Sequence, residues 1–208
     1  IPIRDEVRYI GVGRDPRDAA VSMMHHSDNM DRKVWAELTG QEPPDPESAP
    51  PVRTTEERFD GWLDGGPYPD WSARFLLHHY RTFWDHRHLP NVELFHFDDY
   101  RRDLAAQVIR LAAHLDIPIT PERAAEVANE ASIERSRDRA ADIVPEAHLG
   151  IWKDTARFFR SGRSGEWRDV MTPAQQERND RIVTEEVGDD LARWIHHGSE
   201  GARAPLGQ

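Results

Sequence analysis

Apolar and polar positions repeat with two different periods along this chain, and each change of period marks an element. Val7 to Gly13 (V-R-Y-I-G-V-G) is short, β-branched and partly alternating, with two glycines that allow close backbone approach. That pattern predicts a buried strand ending at Arg14. Asp15-Pro16 then supplies an N-cap and a proline at the first helical position. A helix is predicted from Pro16 to about Met30, with Ala19, Val21, Met23 and Met24 as its apolar surface. Asp31 caps a second, short helix through Leu38. Gly40 to Arg53 carries five prolines and almost no core-forming residue, so it reads as a mobile surface loop. Thr54-x-x-Glu57 has the capping-box spacing for a helix ending near Gly65-Gly66. A longer helix is predicted from about Asp70 to His88, bearing Phe75, Leu76, His79, Phe83 and Trp84.

Val92 to Phe97 (V-E-L-F-H-F) alternates cleanly and predicts the second strand. Asp98 or Asp99 caps a helix to about Leu115, Thr120-Pro121 opens another through Ala131, and Ser132 restarts a charged helical stretch. Thr172-Pro173-x-Gln175 starts the last helix, which ends near His197 and carries Ile182, Val183, Val187, Leu191 and Trp194 at helical spacing. Residues 198–208, rich in Gly, Ala and Pro, read as a flexible tail after a single domain over 1–197.

Strand, long helical excursion, strand and helices make an α/β class, in which two strands so distant in sequence pair in parallel with helices on the faces. Two parallel strands alone make a poor core. The chain also opens abruptly at Ile1-Pro2-Ile3, so the expectation is that N-terminal strands of the sheet are missing from it.

Composition narrows the chemistry. The 208 residues include no cysteine, which excludes disulfides, a thiol nucleophile and cysteine-ligated metals. Twenty-seven Lys and Arg against 38 Asp and Glu give a formal charge of −11, a field that opposes nucleic-acid polymers and anionic membranes. A small anion can still bind where basic groups cluster. No stretch has the length and apolarity of a membrane span. Adjacent histidines (His25-His26, His78-His79, His196-His197) point about 100° apart on a helix and do not chelate one ion, so no metal site is expected.

Two segments carry candidate chemistry. In R-D-P-R-D-A-A-V-S, Arg14 stands at the carboxyl end of a strand and can offer a guanidinium fork to a phosphate beside a helix start. Ser22, seven residues past the Asp15 cap, shares its helix face and can add a hydroxyl donor. The same pattern also fits an ordinary strand-to-helix turn. In R-S-G-R-S-G-E-W-R, Gly162 and Gly165 let backbone N–H groups turn toward an anion while Arg160 and Arg163 supply charge and Trp167 anchors the loop. Alone, it also fits a flexible basic surface loop.

Together, strand-R-[DN]-P-[KR]-D-x-x-x-S and the distant R-x-G-x-x-G-[DE]-W-[KR] resemble the PAPS-dependent sulfotransferases, bacterial relatives of the cytosolic type. V-E-L-F-H-F-D-D-Y is similar to that family's strand ending in Y-E-D, and the resemblance runs over roughly residues 7–190. It implies a P-loop-NTPase-like parallel sheet flanked by helices. It implies PAPS (3′-phosphoadenosine 5′-phosphosulfate) as co-substrate, PAP as product, and transfer of a sulfuryl group to a hydroxyl or amine of a small molecule or lipid. Arg14 and Ser22 match the family's ligands of the 3′-phosphate, and Arg160 with the backbone of Ser161 and Gly162 matches the second clamp on it. Phe97 stands where the family has a Tyr beside the adenine, Ile133 where a Phe often stacks, and Ser161 where a Lys is common. The family's 5′-phosphosulfate loop and its general base lie before the Arg14 strand, so the catalytic groups are expected upstream of residue 1.

The resemblance further implies a cytoplasmic protein and allows a homodimer. The aromatic helices around residues 59–84, with Trp62 and Phe75, are expected to form the acceptor pocket under the proline-rich loop. A phosphate-binding kinase would need Gly-Lys-[Ser/Thr], which does not occur. The alternative from another class is a non-catalytic nucleotide-binding or interaction module that keeps only the 3′-phosphate clamp.

Overall fold

Strand β1 (Tyr9–Gly13) pairs in parallel with β2 (Val92–His96), in the register Tyr9 to Val92 through Gly13 to His96. The computed structural model describes residues 2–42, 53–65 and 71–203. The crossover between the strands holds α1 (Pro16–Asn29), α2 (Arg32–Thr39), α3 (Thr55–Asp64) and α4 (Ala73–Trp84). After β2 come α5 (Phe97–Arg102), α6 (Leu104–His114), α7 (Pro121–Glu130), α8 (Ile133–Asp138) and α9 (Ala140–Ile143). Single 3₁₀ turns at Ala147–Leu149, Ala156–Phe159 and Glu166–Asp169 lead to α10 (Pro173–Val187), α11 (Asp189–His197) and α12 (Ser199–Arg203).

Glycine decides how closely the helices approach the sheet. A side chain on Gly11 would run into Phe83 and Leu94, and one on Gly13 into the Trp194 ring. Phe83 of α4 and Trp194 of α11 therefore lie directly on β1. Trp194 packs against Tyr80, Trp84 and His96 as well, all ring centroids within 6.4 Å. The core extends from there through Phe59, Trp62, Leu77, Ile182 and Val183 to Trp167. Truncating a buried ring of this kind costs about 3–5 kcal/mol.

Most caps fall where the short-range pattern places them. Asp15 accepts from Arg17 N, Asp31 from Lys33 N and Val34 N, and Thr54–Glu57 and Thr172–Gln175 form complete capping boxes. Several boundaries differ. α4 is capped by Ser72 and stops at Trp84, four residues short of the predicted end. Its first predicted residue, Asp70, and residues 43–52 of the proline-rich loop lie outside the described residues. β2 ends at His96, whose buried ring caps α5 in place of Asp98 or Asp99. Its Nε2–H donates to Ile195 O at 2.8 Å and its Nδ1 accepts from Asp98 N at 3.2 Å, and burial lowers its pKa. Neutral Nε2–H imidazole is the form that satisfies both bonds.

The helix predicted over 98–115 breaks at Asp103, which ends α5 and caps α6. The last predicted helix breaks at Gly188, whose backbone (φ 64°, ψ 168°) is open only to glycine. The expected tail instead begins with α12, because Asp99, 2% exposed, accepts from both the N–H and the hydroxyl of Ser199. Residues 204–208 lie outside the described residues. Among the described residues, no helix is long and apolar enough to cross a membrane.

Candidate functional site

Arg14 leaves the carboxyl end of β1 and is pinned at its backbone. The hydroxyl of Tyr80, on α4, accepts from Arg14 N at 3.1 Å and donates to Arg14 O at 3.0 Å. Burial pushes the Tyr80 phenol well above its ordinary pKa, so the hydroxyl remains a donor. The Arg14 guanidinium lies 4.3 Å over the Phe97 ring, a contact worth about 0.5–2 kcal/mol. Its Nη2 donates to Arg163 O at 3.3 Å, and its buried Nε has no hydrogen-bond partner. Burial lowers the Arg14 pKa, while Asp18, Tyr80, Glu166 and Asp98 act to raise it. An arginine stays protonated through such a shift.

The second segment is tied to α1 before it reaches the site. Asn29 Nδ2 donates to Asp154 O at 2.8 Å, and Lys153 N donates to Asn29 O at 2.8 Å. His26 packs on Trp152 and Phe158. From α8, the Arg137 guanidinium donates to Phe159 O and Arg160 O. Between Arg160 and Arg168 the chain turns at Gly162 (φ 62°) and Gly165 (φ 83°), left-handed conformations that favour glycine. A side chain at Gly162 would lie 2.7 Å from Ile133 Cδ1, so the residue expected near the base packs on this turn.

Arg160 makes a fork on Glu166, with Nη1 donating at 3.1 Å and Nη2 to the second oxygen, and Arg163 adds a bond to Oε1 at 3.2 Å. Burial opposes ionisation of Glu166, but Arg160, Ser161 and Arg163 outweigh it and hold the carboxyl below its usual value. The turn is thus less basic than its sequence suggests, since one carboxylate serves two guanidinium groups. Ser161 Oγ accepts from Arg163 N at 3.3 Å.

Two hydrogen bonds join the two segments, and a third ties the second segment to α5. Arg14 reaches Arg163 O, Gly165 N donates to Asp18 Oδ2 at 2.7 Å, and Ser164 Oγ donates to Asp98 Oδ1. Ser22, half-buried, sits one helical turn beyond Asp18 on the same side of α1. His25, on the following turn, has its pKa lowered by burial and then by Arg160. Arg14 is therefore held against the turn that carries Arg160, Ser161 and Gly162, while Ser22 lies one turn beyond Asp18 on α1. Phe97 is present too, but Arg14 covers a face of its ring. A cavity of about 410 Å³ beside this place is lined by Asp98, Arg101, Arg102, Ser164, His196, His197 and Glu200.

The residues named for the acceptor pocket are divided between the core and the surface. Phe59 and Trp62 are core residues and Phe75 is exposed, because the apolar stripes of α3 and α4 turn inward to pack on α10. Four residues of the site escaped the sequence reading. Asp18 and Glu166 stand inside the two motifs, where a charge of the wrong sign for an anion site was the available signal. Tyr80 and Arg137 act through backbone contacts from remote helices and left no local signal.

A family model described as the sulfotransferase domain matches residues 3–190. A glycolipid sulfotransferase of Mycobacterium bovis is 39% identical over 216 residues, covering 95% of this chain and 66% of that protein. An amine sulfotransferase of Oryctolagus cuniculus is 25% identical over 199 residues, covering 92% and 58%. The mouse sulfotransferase SULT7A1 complexed with PAP superimposes with a TM-score of 0.69 at 22% identity, covering 91% of this chain and 61% of that one. The chain thus spans about two thirds of the length of the relatives it matches, or less. The likeness to solved sulfotransferases places the fold in their P-loop-like α/β class.

Proposed function

The chain belongs to the sulfotransferase family, and on that premise we propose that its protein moves a sulfuryl group from PAPS to a hydroxyl or amine of a small molecule or lipid. In this reading Arg14, Ser22, Arg160 and the backbone of Ser161 and Gly162 hold the nucleotide's 3′-phosphate, and Phe97 lies beside the adenine. The carrying observation is the convergence of the two arginine-bearing segments, with Arg14 Nη2 on the carbonyl of Arg163.

The residues present fit a phosphate dianion. Arg14 keeps a buried Nε–H without a partner, and two left-handed glycines wind the opposite backbone around the same place. Arg14 approaches from β1 with its side chain already held by the Phe97 ring and the Arg163 carbonyl, so less rotamer entropy remains to be lost on binding. Arg160 must share its fork between Glu166 and the ligand, which makes Arg14 the stronger contact of the two. When bound, PAPS supplies the sulfuryl group. What these residues contribute is affinity and orientation, holding the donor in one pose relative to the acceptor.

The most similar relative named above is a glycolipid sulfotransferase, so a glycolipid hydroxyl is the acceptor class to try first. PAPS is an intracellular donor, and a cytoplasmic site follows from that. The reading is tested by calorimetric titration of the chain with PAP, with Arg14→Ala as control. Saturable binding that the substitution weakens supports it, and heats that do not saturate count against it.

A further inference from the structure

Asp18 is 2% exposed and lies among residues that gather around an anion site. Its Oδ2 accepts from the N–H of Gly165, 147 residues away, at 2.7 Å. Its Oδ1 is buried with no hydrogen-bond partner. A carboxylate here disfavours an anionic ligand, and its attraction to Arg14 is outweighed by the cost of its burial, so charge alone does not explain it. Geometry does. Gly165 takes φ 83°, begins the 3₁₀ turn that seats Trp167 in the core, and closes the loop that starts at Arg160. Asp18 holds that turn against the first helical turn of α1, four residues after Arg14.

We propose that Asp18 is a positioning residue. By accepting the Gly165 N–H it holds the 160–168 turn in register with Arg14, so that the two segments make one 3′-phosphate cradle without Asp18 touching the nucleotide. This rests on the reading of the preceding section.

The test compares wild type with Asp18→Asn, Asp18→Glu and Asp18→Ala in this chain, by amide hydrogen exchange over residues 160–168 and by calorimetry with PAP. Asn keeps an acceptor oxygen in place and removes the charge, whereas Glu keeps the charge and displaces the oxygen by a methylene. The expected result is that Asp18→Asn keeps Gly165 protected and binds PAP at least as tightly as wild type. Asp18→Glu and Asp18→Ala should exchange faster at Gly165 and bind about tenfold more weakly or worse. Should the alanine variant not fold, the glutamate variant carries the same comparison. Wild-type PAP binding that Asp18→Glu and Asp18→Ala leave intact overturns the role of Asp18 alone. No PAP binding by wild type overturns the nucleotide reading, and with it the role assigned here.

Discussion

The guanidinium of Arg14 donates to the main-chain carbonyl of Arg163 at 3.3 Å, across 149 residues of chain. The bond uses a side chain from the end of a strand and the backbone of a glycine-bearing turn, and it orients both toward a common space. Its strength is modest, about 0.5–1.5 kcal/mol for an ordinary bond and up to about 3 with a charged donor. Its consequence is geometric, since it fixes the Arg14 guanidinium against the backbone of the 160–168 turn.

Gly162→Ala tests the turn. At φ 62° an alanine is strained, and its Cβ meets Ile133 Cδ1. The expected loss is about 1 kcal/mol or more, or roughly 2–4 °C in Tm for a chain of this length, with weaker PAP binding. Gly40→Ala is the matched control, left-handed at φ 67° with open space around it. It should lose comparable stability and keep its PAP affinity. Melting curves and calorimetry on both variants decide.

Gly13→Ala tests the packing of α11 on the sheet. The added methyl would enter the Trp194 ring, a rigid group with Tyr80, Trp84 and His96 around it. Overpacking of this kind costs about 1–3 kcal/mol, so a clear fall in denaturant midpoint is expected. An unchanged midpoint would mean that Trp194 has room to move.

Two neighbouring aspartates should leave opposite marks on the pH dependence of stability. Burial opposes ionisation of Asp15, but hydrogen bonds from His196 and Arg17 prevail and hold its pKa well below the usual carboxylate range. Its contribution is present above the unfolded value of about 3.9 and is lost as pH falls through the folded one. Asp15→Asn should therefore be less stable than wild type at pH 7, by about 1 kcal/mol or more, with the gap closing in acid.

Asp18 runs the other way, because burial raises its pKa more than the Gly165 N–H lowers it. The folded state then favours the neutral carboxyl. That stability is present below about pH 3.9 and is lost as pH rises through the folded pKa. Asp18→Asn should gain stability at pH 7, and the gain should vanish in acid. Urea unfolding of both variants at pH 7, 3.5 and 2 reads the two signs: the Asp18 gap should be gone by pH 3.5, whereas the Asp15 gap should narrow only below it.

How much was legible beforehand depends on how local each signal is. Asp15-Pro16, Asp31, Thr54–Glu57 and Thr172–Gln175 announce helix starts within four residues, and each start is where those residues place it. β2 ended one residue early because a histidine ring took the capping role, which propensity assigns to Asp98 or Asp99. The breaks at Asp103 and Gly188 are single backbone choices inside otherwise helical patterns. At the site, the two motifs were visible because glycine and arginine at fixed spacing have a chemical meaning. A stripe of Phe and Trp reads alike whether it faces a ligand or the core, and Phe59 and Trp62, in the span expected to form an acceptor pocket, face the core. The pairing of Arg160 with Glu166 depends on how the turn closes, which spacing alone does not state.

The convergence of the two segments on one phosphate is tested most directly by a double-mutant cycle in PAP affinity. Wild type, Arg14→Ala, Arg160→Ala and the double variant would be titrated with PAP at fixed salt. The account predicts saturable wild-type binding, a loss of about 1.5–3 kcal/mol for Arg14→Ala and a smaller loss for Arg160→Ala. The two losses should be non-additive by about 0.5 kcal/mol or more, since both groups would share one ligand atom cluster. Two losses that simply add, or a wild-type chain that does not bind PAP, would contradict it.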